Sequence, residues 1–387
     1  MEYSDRGVFV NNIKTAFMFA NYTPADKAIG ITKKIGAEIR TLRKKGMAVT
    51  YTGYDGDGVS VFGNDDAVIF HKAYPFHWDK LNRKLRYYWL EKTALEYLKQ
   101  AESFDLGYIR MGAPNRVFFS ILKRLKDGGA TLIGEAHAYF PGIKYKSLGG
   151  KYITWMYEMH KAKFKDYISC FIVEGSFPEM YGVKAYKTSI GVEVDAICPH
   201  QYSGDKQTLN LISVANEMSY HAYDRIVESL NAYLLKTDNR HIVVHLVGVI
   251  SDETKALVEK YGLQEHVILY GKQSGAALDE IYNKCNVGLG PLGQHRVGGK
   301  KDTGLKTKEY FAKGLPYIYS GEEPTVPDGY PYICQFPSDE SMIDFDRVWE
   351  FYKSYRDDPQ VVEHMRAFAA EHYSWDTIMK EALSHLD

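Results

Sequence analysis

The chain has 387 residues, 45% of them hydrophobic and 25% charged, which excludes a disordered chain, a collagen-like repeat and a disulfide-stapled miniprotein. At roughly 150 residues per domain, this length predicts two domains, each able to bury its own core. The formal net charge of −1 conceals a split: residues 1–200 hold 29 Lys and Arg against 21 Asp and Glu, and residues 201–387 hold 19 against 28. The first half is therefore expected to meet something negative.

In chain order, TAFMFANY at 15–22 reads as a buried strand. Ile31, Ile35, Ile39 and Leu42 then trace one helical face, closed by Gly46. A strand at 47–52 leads into turn clusters around Asp55-Gly56-Asp57-Gly58 and Gly63–Asp66, which predict a hairpin over 55–70. Residues 106–110 read as a strand and 118–125 as a helix. Gly128-Gly129 turns the chain into a strand at 131–136. The second half repeats the alternation with strands at 209–215, 242–249, 266–270, 287–289 and 315–319. Helices at 224–235, 253–261, 276–285 and 305–313 follow them in turn. Such βα repeats imply parallel sheets with helices on both faces and ligands at the carboxyl ends of the strands. Segment 188–199, TSIGVEVDAICP, reads as the hinge between the halves.

The basic clusters Arg40–Lys45, Arg83–Trp89 and Lys123–Lys126 read as solvated helix faces or as attachment points for an anionic membrane surface. No RNP, zinc-finger or helix-turn-helix signature accompanies them, so no nucleic-acid partner is expected. Cys170, Cys198, Cys285 and Cys334 show no metal or redox spacing, and reduced thiols are expected. With no signal-peptide layout at the start and no apolar run of ~18 residues, a cytoplasmic, non-spanning protein is expected. Gly288-Leu-Gly290-Pro-Leu-Gly293 matches GxGxxG, but Pro291 and the polar run after it break the required strand-to-helix passage. Asp55-Gly-Asp57 reads as a turn rather than a metal motif, and His241 and His245 as packed strand histidines. No metal and no cofactor is expected.

The stretch RVGGKKDTGLKTKEYFAKGLP, residues 296–316, carries more weight. A glycine-containing loop with Arg296, Lys300 and Lys301 feeds a helix beginning near 303–306. The free N–H groups and positive dipole end of that helix form an anion site. Arg296 and Lys306 add full charges suited to a diphosphate, and Glu309, one turn on, suits the hydroxyls of a ribose.

These residues resemble the nucleotide-sugar-binding half of family 4 retaining glycosyltransferases. SIGVEVDAICP, LISVANEMSYHAYDRIVESL, HLVG, HVILYGKQSGAALDEIYNKCNVGLGPL and KEYFAKGLPYI follow the family's blocks in order. The resemblance implies the GT-B fold: two Rossmann-like parallel-sheet domains facing a cleft, with a C-terminal helix packing back on the first. The implied boundaries are 1–190 for acceptor binding, 191–365 for the nucleotide sugar, and 366–387 for the returning segment. It further implies that Glu309 binds ribose, that amides of Thr303, Gly304 and Leu305 hold phosphates, and that Lys272 and Gln273 frame the base. His137 would sit near the donor sugar, and Gly30 in a loop facing the phosphates. Lys301 stands where the family has the first Glu of its Glu-x7-Glu motif. Asn216 and His221 stand where it has an Arg and a Lys, and Ala222 replaces a Gly. Arg296 and Lys306 are then expected to neutralise phosphate, with His137 as a third catalytic candidate.

The expected activity moves a hexose from a UDP- or GDP-linked donor to a glycan or polyprenyl-diphosphate-linked acceptor, with retention and without a metal. Contact with the inner membrane face would be peripheral. A GT-B nucleotide-sugar epimerase and a catalytically inactive nucleotide-sugar-binding subunit share the architecture and stay open.

Overall fold

The computed structural model describes residues 13–24, 30–76, 79–112, 114–136, 148–174, 178–236, 241–298 and 304–386. Strands β1 (Thr15–Tyr22), β2 (Ala48–Asp55), β3 (Gly58–Phe62), β4 (Val68–Ala73), β5 (Leu106–Arg110), β6 (Thr131–Ala136), β7 (Cys170–Glu174), β8 (Glu179–Met180) and β9 (Val183–Thr188) alternate with helices α1 (Gly30–Lys44), α2 (Asp79–Gln100), α3 (Arg116–Asp127) and α4 (Leu148–His160). These elements and the last helix, α11 (Trp375–Leu383), form one compact unit of residues 1–190 and 375–387. Residues 191–374 form the other.

The first unit is a nine-stranded sheet in the order β4-β3-β2-β1-β5-β6-β7-β9-β8. Its centre is parallel; β3 and β4 extend one edge antiparallel, and β8 pairs antiparallel with β9. The strand period of two sends Phe17 and Phe19 of β1 to one face and Ala16, Met18 and Ala20 to the other. The first face packs Leu90, Ala94 and Leu98 of α2 with Phe118, Ile121, Leu122 and Leu125 of α3. The second packs Ile35, Ile39 and Leu42 of α1 with Met379 and Leu383 of α11. Asn115 starts α3 by accepting the amides of Val117 and Phe118. On the α1 side, buried Glu135 accepts from Lys34 at 2.7 Å and from Arg110 at 3.0 Å. Glu38, also buried, lies against this group; burial first, then the Glu135 charge, pushes its carboxyl well above the ordinary range.

The second unit contains β10 (Leu209–Val214), α5 (Tyr223–Leu234), β11 (Ile242–Val247), α6 (Asp252–Lys260), β12 (Val267–Gly271), α7 (Gly275–Lys284), β13 (Val287–Leu289), α8 (Leu305–Lys313), β14 (Tyr317–Ser320), β15 (Ile333–Phe336), α9 (Phe345–Tyr355) and α10 (Val361–His372). All six strands run parallel, in the order β12-β11-β10-β13-β14-β15. The chain winds outward from β10 to β12, then returns to lay β13 on the other side of β10. This makes the β10/β13 boundary the switch point, where a crevice opens at the carboxyl edge.

The expected return to the first domain at residue 366 is corrected to Trp375. Met365 and Ala369 are buried in the second core, and Phe368 stacks on Phe311 of α8 at 4.9 Å, so α10 belongs wholly to the second unit. Among the described residues no helix is long and apolar enough to cross a membrane.

Candidate functional site

Along the carboxyl edge of the second sheet, the loops after β12, β11, β10 and β13 lie side by side. Gly248, following β11 with φ of 134°, shows how tightly they touch: a Cβ there would fall 2.1 Å from the Ala215 carbonyl oxygen. Glu217 extends the contact, its carboxylate accepting from the Ser251 amide at 2.7 Å and the Thr254 hydroxyl at 2.6 Å. The site therefore rests on a rigid shelf.

Helix α8 enters this shelf at the switch point. Tyr310 Oη donates to the carbonyl oxygens of Ile212 on β10 and Leu289 on β13, each at 3.0 Å. The first turn of α8 has no acidic residue, and Gly304 gives it no side-chain cap. Its leading amides are thus receptive to an anion. Helix α5 also starts without a side-chain cap, from Ala222 in the left-handed conformation at φ 54°. The neighbouring chain accommodates that methyl group: a Cβ on Gly293 would meet Ala222 Cβ at 3.0 Å. Glycine at 293 thus makes room for alanine at 222.

Lys306 is half-buried and turns its Nζ to Ser213 Oγ, 2.8 Å away. It makes no ion pair among the described residues. Burial lowers its pKa to about 7, with the Glu309 charge opposing. Ser213 Oγ continues to Tyr223 Oη at 2.7 Å. His221 is buried, stacks on Tyr223 and accepts the Met218 amide on Nδ1. Burial and the Lys306 charge lower it to about 3, so it stays neutral. Lys306, Glu309, Gly304, Leu305 and His221 are thus gathered around the switch point.

Arg296 sits differently from its expected role as a free phosphate-binding cation. Its Nε and Nη2 donate to the two Glu340 oxygens at 2.8 and 2.5 Å, and Nη1 donates to Asp224 at 2.8 Å. His295 adds a 2.6 Å contact to the same Glu340. Hydrogen bonds from Arg296 hold the Glu340 carboxyl down near about 2. Two carboxylates thus compensate the guanidinium before any ligand arrives.

Asn216 is also engaged, its Oδ1 accepting the Val249 amide at 3.1 Å and tying adjacent loops. Lys272 and Gln273 are exposed just past β12, with Gln273 Nε2 donating to the Tyr270 carbonyl at 3.1 Å. Gly30 opens α1 in the first unit. His137 and Thr303 lie outside the described residues, as do Lys300 and Lys301. Sequence reasoning missed Ser213, Tyr223 and the Glu340–Asp224 clasp. It also missed Arg225, which is buried and donates to the carbonyls of Leu292 and Ser341, each at 2.6 Å. A cavity of about 530 Å³ opens at the same edge over β14 and β15, lined by Gly321, Gln335, Phe336 and Arg347. Among the described residues no three His, Cys, Asp or Glu side chains gather to hold a metal.

No protein-family model and no curated protein sequence matches the chain. Solved structures do. A glycosyltransferase from Rickettsia africae aligns over 96% of this chain and 97% of its own, with TM-score 0.64 and 13% identity. Sucrose-phosphate synthase from Thermosynechococcus elongatus aligns over 95% and 97%, with TM-score 0.58 and 14% identity. The catalytic domain of starch synthase IV from Arabidopsis thaliana, solved with ADP and acarbose, aligns over 96% and 98%, with TM-score 0.58 and 12% identity. The fold is GT-B. Its two parallel-sheet units agree with the architecture expected from the strand–helix alternation.

Proposed function

We propose that this GT-B protein is a retaining, metal-independent hexosyltransferase of the family 4 type. Its donor would be a nucleotide diphosphate sugar and its acceptor a glycan or polyprenyl-diphosphate-linked glycan. The observation that carries the reading is the convergence of two uncapped helix starts and the Lys306 amine at the β10/β13 switch point, with Glu309 one turn on. The α8 amides and Lys306 bind the diphosphate and offset the charge that grows on it as the glycosidic bond breaks. Glu309 takes the ribose hydroxyls, and the segment after Gly271 frames the base. We assign phosphate neutralisation to Lys306 rather than Arg296, because Glu340 and Asp224 already satisfy the guanidinium. Arg296 then fixes the Gln294–Val297 turn to the start of α5.

Retention follows when the acceptor hydroxyl attacks on the face the diphosphate leaves, with proximity lowering the barrier. The first unit binds the acceptor, and its basic helices meet an anionic membrane face. A UDP-linked sugar is the first donor to try, since an Anabaena protein of the same fold is solved with UDP and glucose (TM-score 0.51, 10% identity).

The test is a binding screen of UDP-, GDP- and ADP-sugars, followed by nucleoside diphosphate release with and without acceptor glycans. Acceptor-dependent release with an α-linked product from an α-linked donor supports transfer with retention. An isomerised sugar would instead identify an epimerase, and binding without turnover a donor-binding subunit. Flotation on vesicles with and without anionic lipid tests the membrane contact; equal recovery would remove it.

A further inference from the structure

We propose that the outer face of α4 is a membrane-docking surface, on which Tyr152, Trp155 and Met159 enter the headgroup layer of an anionic bilayer while adjoining lysines meet its phosphates. The inference deepens the membrane contact of the preceding reading, and rests on it, by naming the surface that makes the contact. Spacings of three and four residues put Tyr152, Trp155 and Met159 on one stripe of the helix. They are 58%, 56% and 60% exposed, large values for such side chains. The rings of Tyr152 and Trp155 stack at 5.8 Å.

The opposite side of α4 is fully engaged. Met156 and Tyr157 are buried there. Tyr157 stacks on Tyr181 at 5.4 Å and donates to the carbonyl of Gly112, just beyond β5. The core of the first unit thus fixes which side of α4 looks outward, and the aromatic stripe has no place to turn in. Its next segment, Lys161–Asp166, is pinned by buried Phe164. Lys163 lies over the Phe119 ring of α3 at 5.7 Å, and Lys126 of α3 donates to the Asp166 carbonyl at 2.7 Å. The stripe, the turn after it and α3 are therefore held together as one surface.

Charge identifies the occupant. Residues 148–166 hold four lysines against two acids, and residues 116–127 hold four Lys and Arg against one. Lys151 is exposed at one end of α4, and Lys161, Lys163 and Lys165 follow the other end. Glu158 pairs with Lys161 at 2.6 Å and leaves the excess positive. Two copies meeting through this face would set like charges together, whereas anionic lipid complements them. Tyr and Trp favour the headgroup level, and a helix with such a stripe lies in the interface without spanning it. The Arg40–Lys45 stretch is arranged otherwise. It belongs to α1 on the other face of the sheet, where Arg43 pairs with Asp66 at 2.7 Å and Lys45 with Asp376 at 2.9 Å.

The experiment uses the full chain and phosphatidylcholine vesicles with and without phosphatidylglycerol, read by flotation and by tryptophan emission. The wild type should bind the anionic vesicles more tightly, with emission moving to shorter wavelength. Trp155→Phe should still bind but lose most of that shift, because its ring enters the interface without reporting. Tyr152→Ser combined with Trp155→Ser should weaken binding at least about tenfold. Lys163→Gln combined with Lys165→Gln should weaken it about thirtyfold on anionic vesicles alone. These positions are exposed, so thermal melting should match the wild type. Arg43→Gln combined with Lys45→Gln, on α1, should change binding less than about twofold. A full shift in Trp155→Phe, undiminished binding by the serine pair, or an equal loss with the α1 pair overturns the proposal. So does a wild type that ignores vesicles and self-associates through Trp155. UDP-glucose calorimetry on the serine pair separates the two readings. Vesicle binding without any nucleotide-sugar binding would defeat glycosyl transfer and leave the docking surface standing. Donor binding without vesicle binding would do the reverse.

Discussion

Replacing Lys306 by Met keeps an unbranched stem on α8 and removes the charge alone. If the amine binds diphosphate, the loss below neutrality is that of a charge-assisted hydrogen bond, about 2–3 kcal/mol, or roughly 30–150-fold in Kd. Its pKa of about 7 makes that loss depend on pH. At about pH 8.5 the wild type must first protonate the amine against about 1.5 pH units, which costs about 2 kcal/mol. The methionine variant has no such cost. The wild-type advantage should therefore shrink from about 2–3 kcal/mol near pH 6 to below about 1 kcal/mol near pH 8.5. Calorimetry with UDP-glucose on both proteins at both pH values measures this. The diphosphate diester keeps both charges across the range, so the ligand adds no slope of its own. A Kd ratio that is the same at both pH values, or a variant that matches the wild type near pH 6, refutes the reasoning.

Arg296→Met should change donor affinity less than about tenfold and cost below about 1 kcal/mol of stability, because the pairs it breaks are partly exposed; parallel calorimetry and urea melts check both. Gly248→Ala should destabilise by more than about 3 kcal/mol, since the new methyl group would sit 2.1 Å from a carbonyl oxygen at a positive φ; a midpoint within error of wild type would contradict the loop packing. Glu38→Gln tests the buried acid of the first unit. Its folded carboxyl holds a proton that the unfolded chain has released, so wild-type stability should fall as the pH climbs above the ordinary glutamate range. Denaturant melts from about pH 4 to 8 should show the Gln variant flatter with pH and relatively more stable at the upper end.

Much of the second unit was legible because each strand is an apolar run and each helix an apolar stripe, separated by turn residues. The 287–289 strand and 305–313 helix match the observed bounds of β13 and α8. Helix α2 was harder to read as a span. Leu90, Ala94 and Leu98 give it a narrow buried stripe, while Tyr87, Tyr88 and Trp89 spread aromatic residues around it. At the site, the shared helix face of Lys306 and Glu309 was legible from their spacing, since residues three apart on a helix are neighbours. The fate of Arg296 was not, because its partners Glu340 and Asp224 lie 44 and 72 residues away in sequence. Only folding decides whether a basic residue faces a ligand or two carboxylates.

Ser213 stands between these cases. A hydroxyl one place from the end of LNLISV is an anomaly at a fully buried strand position, because burying it without a partner costs free energy. That anomaly announces that some polar group must reach it, yet strand periodicity names no candidate. The helix lying across the switch point supplies Lys306, and α5 supplies Tyr223 as its first residue. The sequence thus marks where a polar contact has to form, and the β10/β13 crossover determines which amine and which phenol complete it.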